Sequence, residues 1–129
     1  MNNTLPLSPV AMIIEDDEKL ATIFTAAIME AGFTVHTVSK GDVALVELGV
    51  FQPRLVILDL HLPGVSGETI LKAIREDPRL AKTRVIIATA DAVRARMLED
   101  EGDLVLVKPI SYLQLRDLAF RLVKTRITG

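Results

Sequence analysis

At 129 residues the chain has the length of one ordinary domain, and half of its residues are hydrophobic, with only five aromatic side chains, so its core must be aliphatic. The net charge of −2, with both signs mixed along the chain and no basic stripe, gives nucleic-acid binding no electrostatic support. The absence of cysteine excludes disulfides, thiolate metal sites and a cysteine nucleophile, and it fits a reducing, cytoplasmic setting.

Residues 1–9 are polar and punctuated by proline, and they read as a disordered leader before a single domain over 10–129. The first seventeen residues hold no Lys or Arg and no long apolar block, so no signal peptide is visible. No apolar run reaches the roughly eighteen residues of a membrane span.

Val10 to Ile14 is a first buried strand, closed by the acids Glu15, Asp16, Asp17 and Glu18. Leu20, Ile23, Phe24, Ala27 and Ile28 recur at helical spacing, which predicts a helix from about Glu18 to Ala31 that Gly32 stops. Phe33 to Val38 reads as a second strand and Gly41 to Leu48 as a short helix. Leu55 to Leu58 is a continuous apolar run that meets Asp59, with Pro63 and Gly64 following as a turn. Such a run reads as a strand buried on both faces. Ser66 or Gly67 opens a helix through Glu76, broken at Asp77-Pro78. Arg84 to Ala88 is a fourth strand with Thr89 at its end, and Asp91 to Asp100 a charged helix with few core residues. Leu104 to Val107 is a fifth strand, ended by Lys108-Pro109. Ser111 caps a last helix that turns Leu115, Leu118, Ala119, Leu122 and Val123 inward.

Five strands alternating with five helices predict βαβ units with right-handed crossovers, an α/β doubly wound parallel sheet covered on both faces. In such sheets, ligands collect at the carboxyl ends of the strands. Those ends carry Glu15, Asp16 and Asp17 from the first strand, Asp59 from the third, Thr89 from the fourth and Lys108 from the fifth. Carboxylates about 4 Å apart repel by roughly 4 kcal/mol at an effective dielectric near 20. A hard divalent cation such as Mg²⁺ offsets that repulsion. A hydroxyl and an ammonium suit the oxygens of a phosphoryl group, and a carboxylate can itself be phosphorylated. The edge therefore reads as a site for metal-assisted phosphoryl transfer onto Asp59. Taken singly, each feature has a plainer reading: acids suit a helix N-terminus, and a lysine before proline suits a turn.

Four motifs, in order and each on a predicted strand end, carry a resemblance. They are Ile14-Glu15-Asp16-Asp17, Leu58 to Gly64 with Gly67, Ala88-Thr89-Ala90, and Lys108-Pro109. From about Val10 to Arg126 the chain resembles response-regulator receiver domains, the phosphoacceptor modules of two-component signalling. The resemblance implies a flavodoxin-like sheet of order 2-1-3-4-5. It matches Asp59 to the phosphorylated aspartate, Asp16 to a direct Mg²⁺ ligand and Glu15 to one acting through water. The backbone carbonyl of His61 matches a further metal ligand, Thr89 the switch hydroxyl and Lys108 the phosphate-binding lysine. It also implies a frequent cis bond at Lys108-Pro109. Implied partners are a sensor histidine kinase or histidine phosphotransfer protein and a downstream protein target, with no membrane and no nucleic acid bound directly. Its activity would be self-phosphorylation and self-dephosphorylation, not metabolic turnover. His61 and Asp91 fall where the family tunes the lifetime of the phosphoryl group.

Three positions depart from the family pattern. Val105 stands where an aromatic side chain usually swings, Ile110 where phenylalanine commonly follows the proline, and the segment from Thr89 to Lys108 is short. All fall on the usual output face, so a phosphate-independent interaction module of the same fold is the competing reading. A haloacid-dehalogenase-type phosphatase would want an acid where His61 stands. With nothing of the resemblance beyond Arg126, the chain is expected to be a stand-alone receiver or one excised from a longer protein.

Overall fold

The computed structural model describes residues 8–99 and 104–128, with side chains of the last helix described as far as Leu122. The elements run β1 (Val10–Ile14), α1 (Glu18–Glu30), β2 (Thr34–Val38), α2 (Gly41–Leu48), β3 (Leu55–Asp59), α3 (Gly67–Glu76), β4 (Arg84–Thr89), α4 (Ala92–Met97), β5 (Leu104–Val107) and α5 (Tyr112–Thr128). The strands form one parallel sheet of order β2-β1-β3-β4-β5. This is the expected order.

β3 is buried throughout and β4 from Val85 onward because helices cover both faces. On one face Phe24, Ala27 and Ile28 of α1 and Leu115 and Ala119 of α5 pack on Ala11, Ile13, Leu55, Ile57 and Ile86. On the other, Ala44 and Leu48 of α2, Ile70, Leu71 and Ile74 of α3 and Leu98 beyond α4 pack on Met12, Ile14, Val56, Leu58 and Ile87. Successive strand residues point to opposite faces, which is why odd and even positions separate into two cores.

The elements differ from the expected ones mainly at their ends. β2 starts at Thr34, not Phe33, and β4 continues through Thr89, whose backbone pairs with Val107. Ile23 is 43% exposed, outside the buried face of α1 expected from helical spacing. A single 3-10 turn, Pro78–Leu80, follows α3 where only a break was expected. The fourth helix is the clearest correction: it spans six residues, Ala92–Met97, with Asp91 as its cap, not Asp91 to Asp100. Its only buried residue is Ala95, so it has little apolar surface to hold a longer helix against the sheet. The expectations at residues 1–7, Asp100 and Val123 fall outside the described positions or side chains. Among the described residues, no helix is long and apolar enough to cross a membrane.

Candidate functional site

Register alone brings the singled-out residues to one edge. Ile14 pairs with Leu58, Asp59 with Ala88 and Thr89 with Val107, so β1, β3, β4 and β5 end nearly level. Glu15, Asp59, Thr89 and Lys108 lie at or just past those ends. Glu15 and Asp59 are each 3% exposed and Thr89 is fully buried. Asp16 is exposed. One ligand oxygen from each of Glu15, Asp16 and Asp59 can be chosen so that all lie within 4.8 Å of one another.

Lys108 lies across this cluster. Its Nζ donates to Glu15 Oε1 at 3.0 Å and lies 3.5 Å from Asp59 Oδ1. A cis Lys108-Pro109 bond leads the chain from β5 into the turn, and the Lys108 N–H donates to Thr89 O at 2.7 Å. Burial pushes the Glu15 carboxyl above the ordinary glutamate value, against the hydrogen bonds from Lys108 and the Asp17 N–H, and the charge of Asp59 pushes the same way as burial. Burial alone would lower the Lys108 ammonium, but the hydrogen bond and charge of Glu15, then the charge of Asp59, hold it above the usual lysine value.

The surrounding backbone fixes the other groups. Asp17 is the N-cap of α1, accepting from the Leu20 N–H at 3.0 Å, so it serves the helix and not the cluster. The His61 N–H donates to Asp59 Oδ1 at 3.1 Å, which orients the carboxylate, and the imidazole belongs to an exposed residue. Asp91 turns its carboxylate to the Val93 and Arg94 N–H groups as the cap of α4, while its own N–H donates to Thr89 Oγ1 at 3.0 Å. Gly67 opens α3 against the end of β3. A Cβ there would lie 2.5 Å from Asp59 O and 2.6 Å from Leu60 Cα, so only glycine lets the helix start so close.

Sequence patterning did not disclose the ion pair between Arg94 of α4 and Glu68 of α3. The two residues are far apart in sequence on different helices, and no local spacing marks them. Val105, at the position of the usual aromatic side chain, packs against the core shared by α2 and α3.

The donor set suits a hard cation. It is all oxygen, three carboxylates against one ammonium, and unit charges about 5 Å apart repel by roughly 3 kcal/mol at an effective dielectric near 20. A divalent ion would cancel the remaining negative charge, and Mg²⁺ keeps waters and takes few carboxylates, as an open edge permits.

The family model of the response regulator receiver domain matches residues 11–120. The phosphate regulon transcriptional regulatory protein PhoB of Rhizobium meliloti is 34% identical over 110 residues, 83% of this chain and 48% of that protein. The signal receiver domain of a putative LuxO repressor protein from Vibrio parahaemolyticus superposes with a TM-score of 0.82 at 30% identity, covering 95% of both chains. The receiver domain of sensor histidine kinase PA1611 from Pseudomonas aeruginosa, crystallised with magnesium in its active-site cleft, shares the fold with a TM-score of 0.81 at 21% identity, covering 92% of this chain and 99% of that one. The chain spans about half the length of the curated relatives it matches.

Proposed function

This chain belongs to the response regulator receiver domain family, and from that premise we propose that it is a phosphorylation switch whose Asp59 accepts a phosphoryl group from a phosphohistidine. The observation that carries the proposal is the edge where Lys108 Nζ reaches both Glu15 and buried Asp59, beside the buried hydroxyl of Thr89.

Glu15, Asp16 and Asp59 would hold Mg²⁺, with the backbone carbonyl of His61 as a further ligand. The ion would neutralise charge on the phosphoryl oxygens. An Asp59 carboxylate oxygen attacks phosphorus as the phosphorus–nitrogen bond breaks. The electron pair leaves with the imidazole, which takes up a proton. The ammonium of Lys108 exchanges a carboxylate for a phosphoryl oxygen, keeping a charge-assisted hydrogen bond throughout. The Thr89 hydroxyl turns to donate to the same group, leaving the Asp91 N–H. Hydrolysis of the acyl phosphate resets the site. Receiver domains are generally not enzymes, and this chemistry is confined to the chain's own aspartate. The partners that fit are a histidine kinase or histidine phosphotransfer protein as donor, and a protein target that distinguishes the two states.

The test is intact mass after incubation with Mg²⁺ and a small acyl phosphate. One phosphate adduct is expected, absent in Asp59→Asn and absent in EDTA. No adduct on folded protein with Mg²⁺ present would favour the phosphate-independent interaction module instead.

A further inference from the structure

The opposite edge of the sheet, where the strands begin, holds a recess of about 410 Å³ whose lining includes Pro53, Arg54, Pro78, Arg79, Lys82 and Thr83. It lies between the approach to β3 and the approach to β4, the far end of the strands that carry Asp59 and Thr89. Its electrostatics depart from those of the chain as a whole. The chain carries −2, yet residues 72–84 hold five basic and two acidic side chains, and Arg54 joins them across the sheet, where its O accepts from the Arg84 N–H at 3.0 Å. This basic corner is assembled from separate segments, so it does not show as a stripe in the sequence.

The walls are cross-linked in advance. The buried Thr83 hydroxyl donates to Pro53 O at 2.7 Å, and Gln52 Nε2 donates to Arg79 O at 3.1 Å. The Arg79 guanidinium is held by Leu48 O and by Asp77. Arg54 is different: its Nε–H is buried with no hydrogen-bond partner. A buried guanidinium donor left without an acceptor is unfavourable, and Arg54 also lines the recess, where an anion would offset its charge.

We propose that this recess binds a small phosphate-bearing molecule of nucleotide size. The Arg54 guanidinium and the Lys82 ammonium suit the planar and point-charge recognition of phosphate oxygens, with the Arg79 guanidinium, fixed by Leu48 O and Asp77, as a third cation in the wall. The volume lies in the range of small-molecule sites, far more than one phosphate fills. The rings of Pro53 and Pro78 offer an apolar wall for the rest of the ligand. Nothing in this inference depends on phosphorylation of Asp59.

The experiment is an amide nuclear magnetic resonance titration of the full chain with ADP, in EDTA to keep divalent ions from the acidic edge. Saturable shifts are expected at Gln52, Arg54, Arg79, Lys82 and Thr83, with the Glu15 and Asp59 amides unmoved. Arg54→Gln should weaken binding by about tenfold, the effect of losing one charge-assisted contact, and Lys82→Glu, which reverses the charge of an exposed residue, by at least as much. A thermal midpoint of Lys82→Glu equal to that of the parent keeps its loss of binding separate from unfolding. No shifts, shifts centred on the acidic edge, or non-saturating shifts on every cationic side of the molecule would each overturn the proposal. So would an oligonucleotide or acidic peptide that moves these amides where ADP does not. Pyrophosphate binding as tightly as ADP would overturn the nucleotide size.

Discussion

Lys108 is the residue on which the acidic edge depends. It is the cation that meets both Glu15 and Asp59, and both carboxylates are almost fully buried. Lys108→Met keeps the length of the side chain and removes the charge, leaving two buried carboxylates facing each other. The expected loss is about 1–3 kcal/mol, less than for a fully buried pair because Asp16 and solvent lie at the mouth of the cleft. Urea unfolding at pH 7 in EDTA measures it, and excess Mg²⁺ should narrow the gap between variant and parent. A variant as stable as its parent in EDTA would mean the two carboxylates do not need Lys108. Such residues were legible in sequence because each strand run ends abruptly in a charged or hydroxyl residue. The use of Asp91 was not. Asp91 sits two residues past Thr89, where the family tunes the lifetime of the phosphoryl group, and in this structure its carboxylate caps α4.

At the scale of elements, two contacts hold helices in place by chemistry that a sequence pattern conveys only in part. Gly67 lets α3 begin against the backbone of Asp59 and Leu60. Gly67→Ala should destabilise by about 1–3 kcal/mol through overpacking against backbone that cannot move aside, and should lower phosphoryl acceptance by displacing Asp59. Denaturant unfolding and the adduct yield check the two effects separately. On the other face, Tyr112 at the start of α5 donates to Glu30 at the end of α1, and Arg116 joins the same carboxylate at 2.9 Å. The hydrogen bond to Glu30 holds the Tyr112 phenol above the usual tyrosine value. A phenol whose folded value is raised stabilises the fold fully below the unfolded value and loses that contribution as pH rises through the folded one. Tyr112 is the single tyrosine, so absorbance titration reads it alone. Its midpoint should lie above that of free tyrosine and fall back in Glu30→Gln; an identical midpoint in both would show that the pair does not form. The helices themselves were legible from apolar spacing, but the clasp between them joins residues far apart in the chain. The short α4 was half legible: Asp91 to Asp100 shows few core residues, which warned of a weak helix without giving its end.

At the scale of the molecule, the sheet was legible because buried parallel strands are continuous apolar runs, and alternation with helical spacing leaves few topologies. The basic corner at the other end of the sheet was not, because it forms only when the approaches to β3 and β4 come together. On the proposed function, readout of the phosphorylated state is the other departure. Val105 is packed against the core on the α2 and α3 face, and a stiff β-branched side chain cannot make the swing of an aromatic one. On that same proposal, the elements placed to carry a signal are those that adjoin the Thr89 hydroxyl: the Asp91 N–H that donates to it, and α4 with its Arg94–Glu68 pair. A switch from 1:99 to 99:1 needs about 5.5 kcal/mol of differential stabilisation, and that must come from the contacts phosphate makes at the acidic edge. The most direct test of that premise locates the phosphoryl group. Protein treated with acyl phosphate and Mg²⁺ is reduced with borohydride, which converts an aspartyl phosphate to homoserine, and the position is read by peptide mass spectrometry. Homoserine at 59, with 15, 16 and 17 unchanged, is the expected result; homoserine at 16 or 17, or none at all, would contradict it.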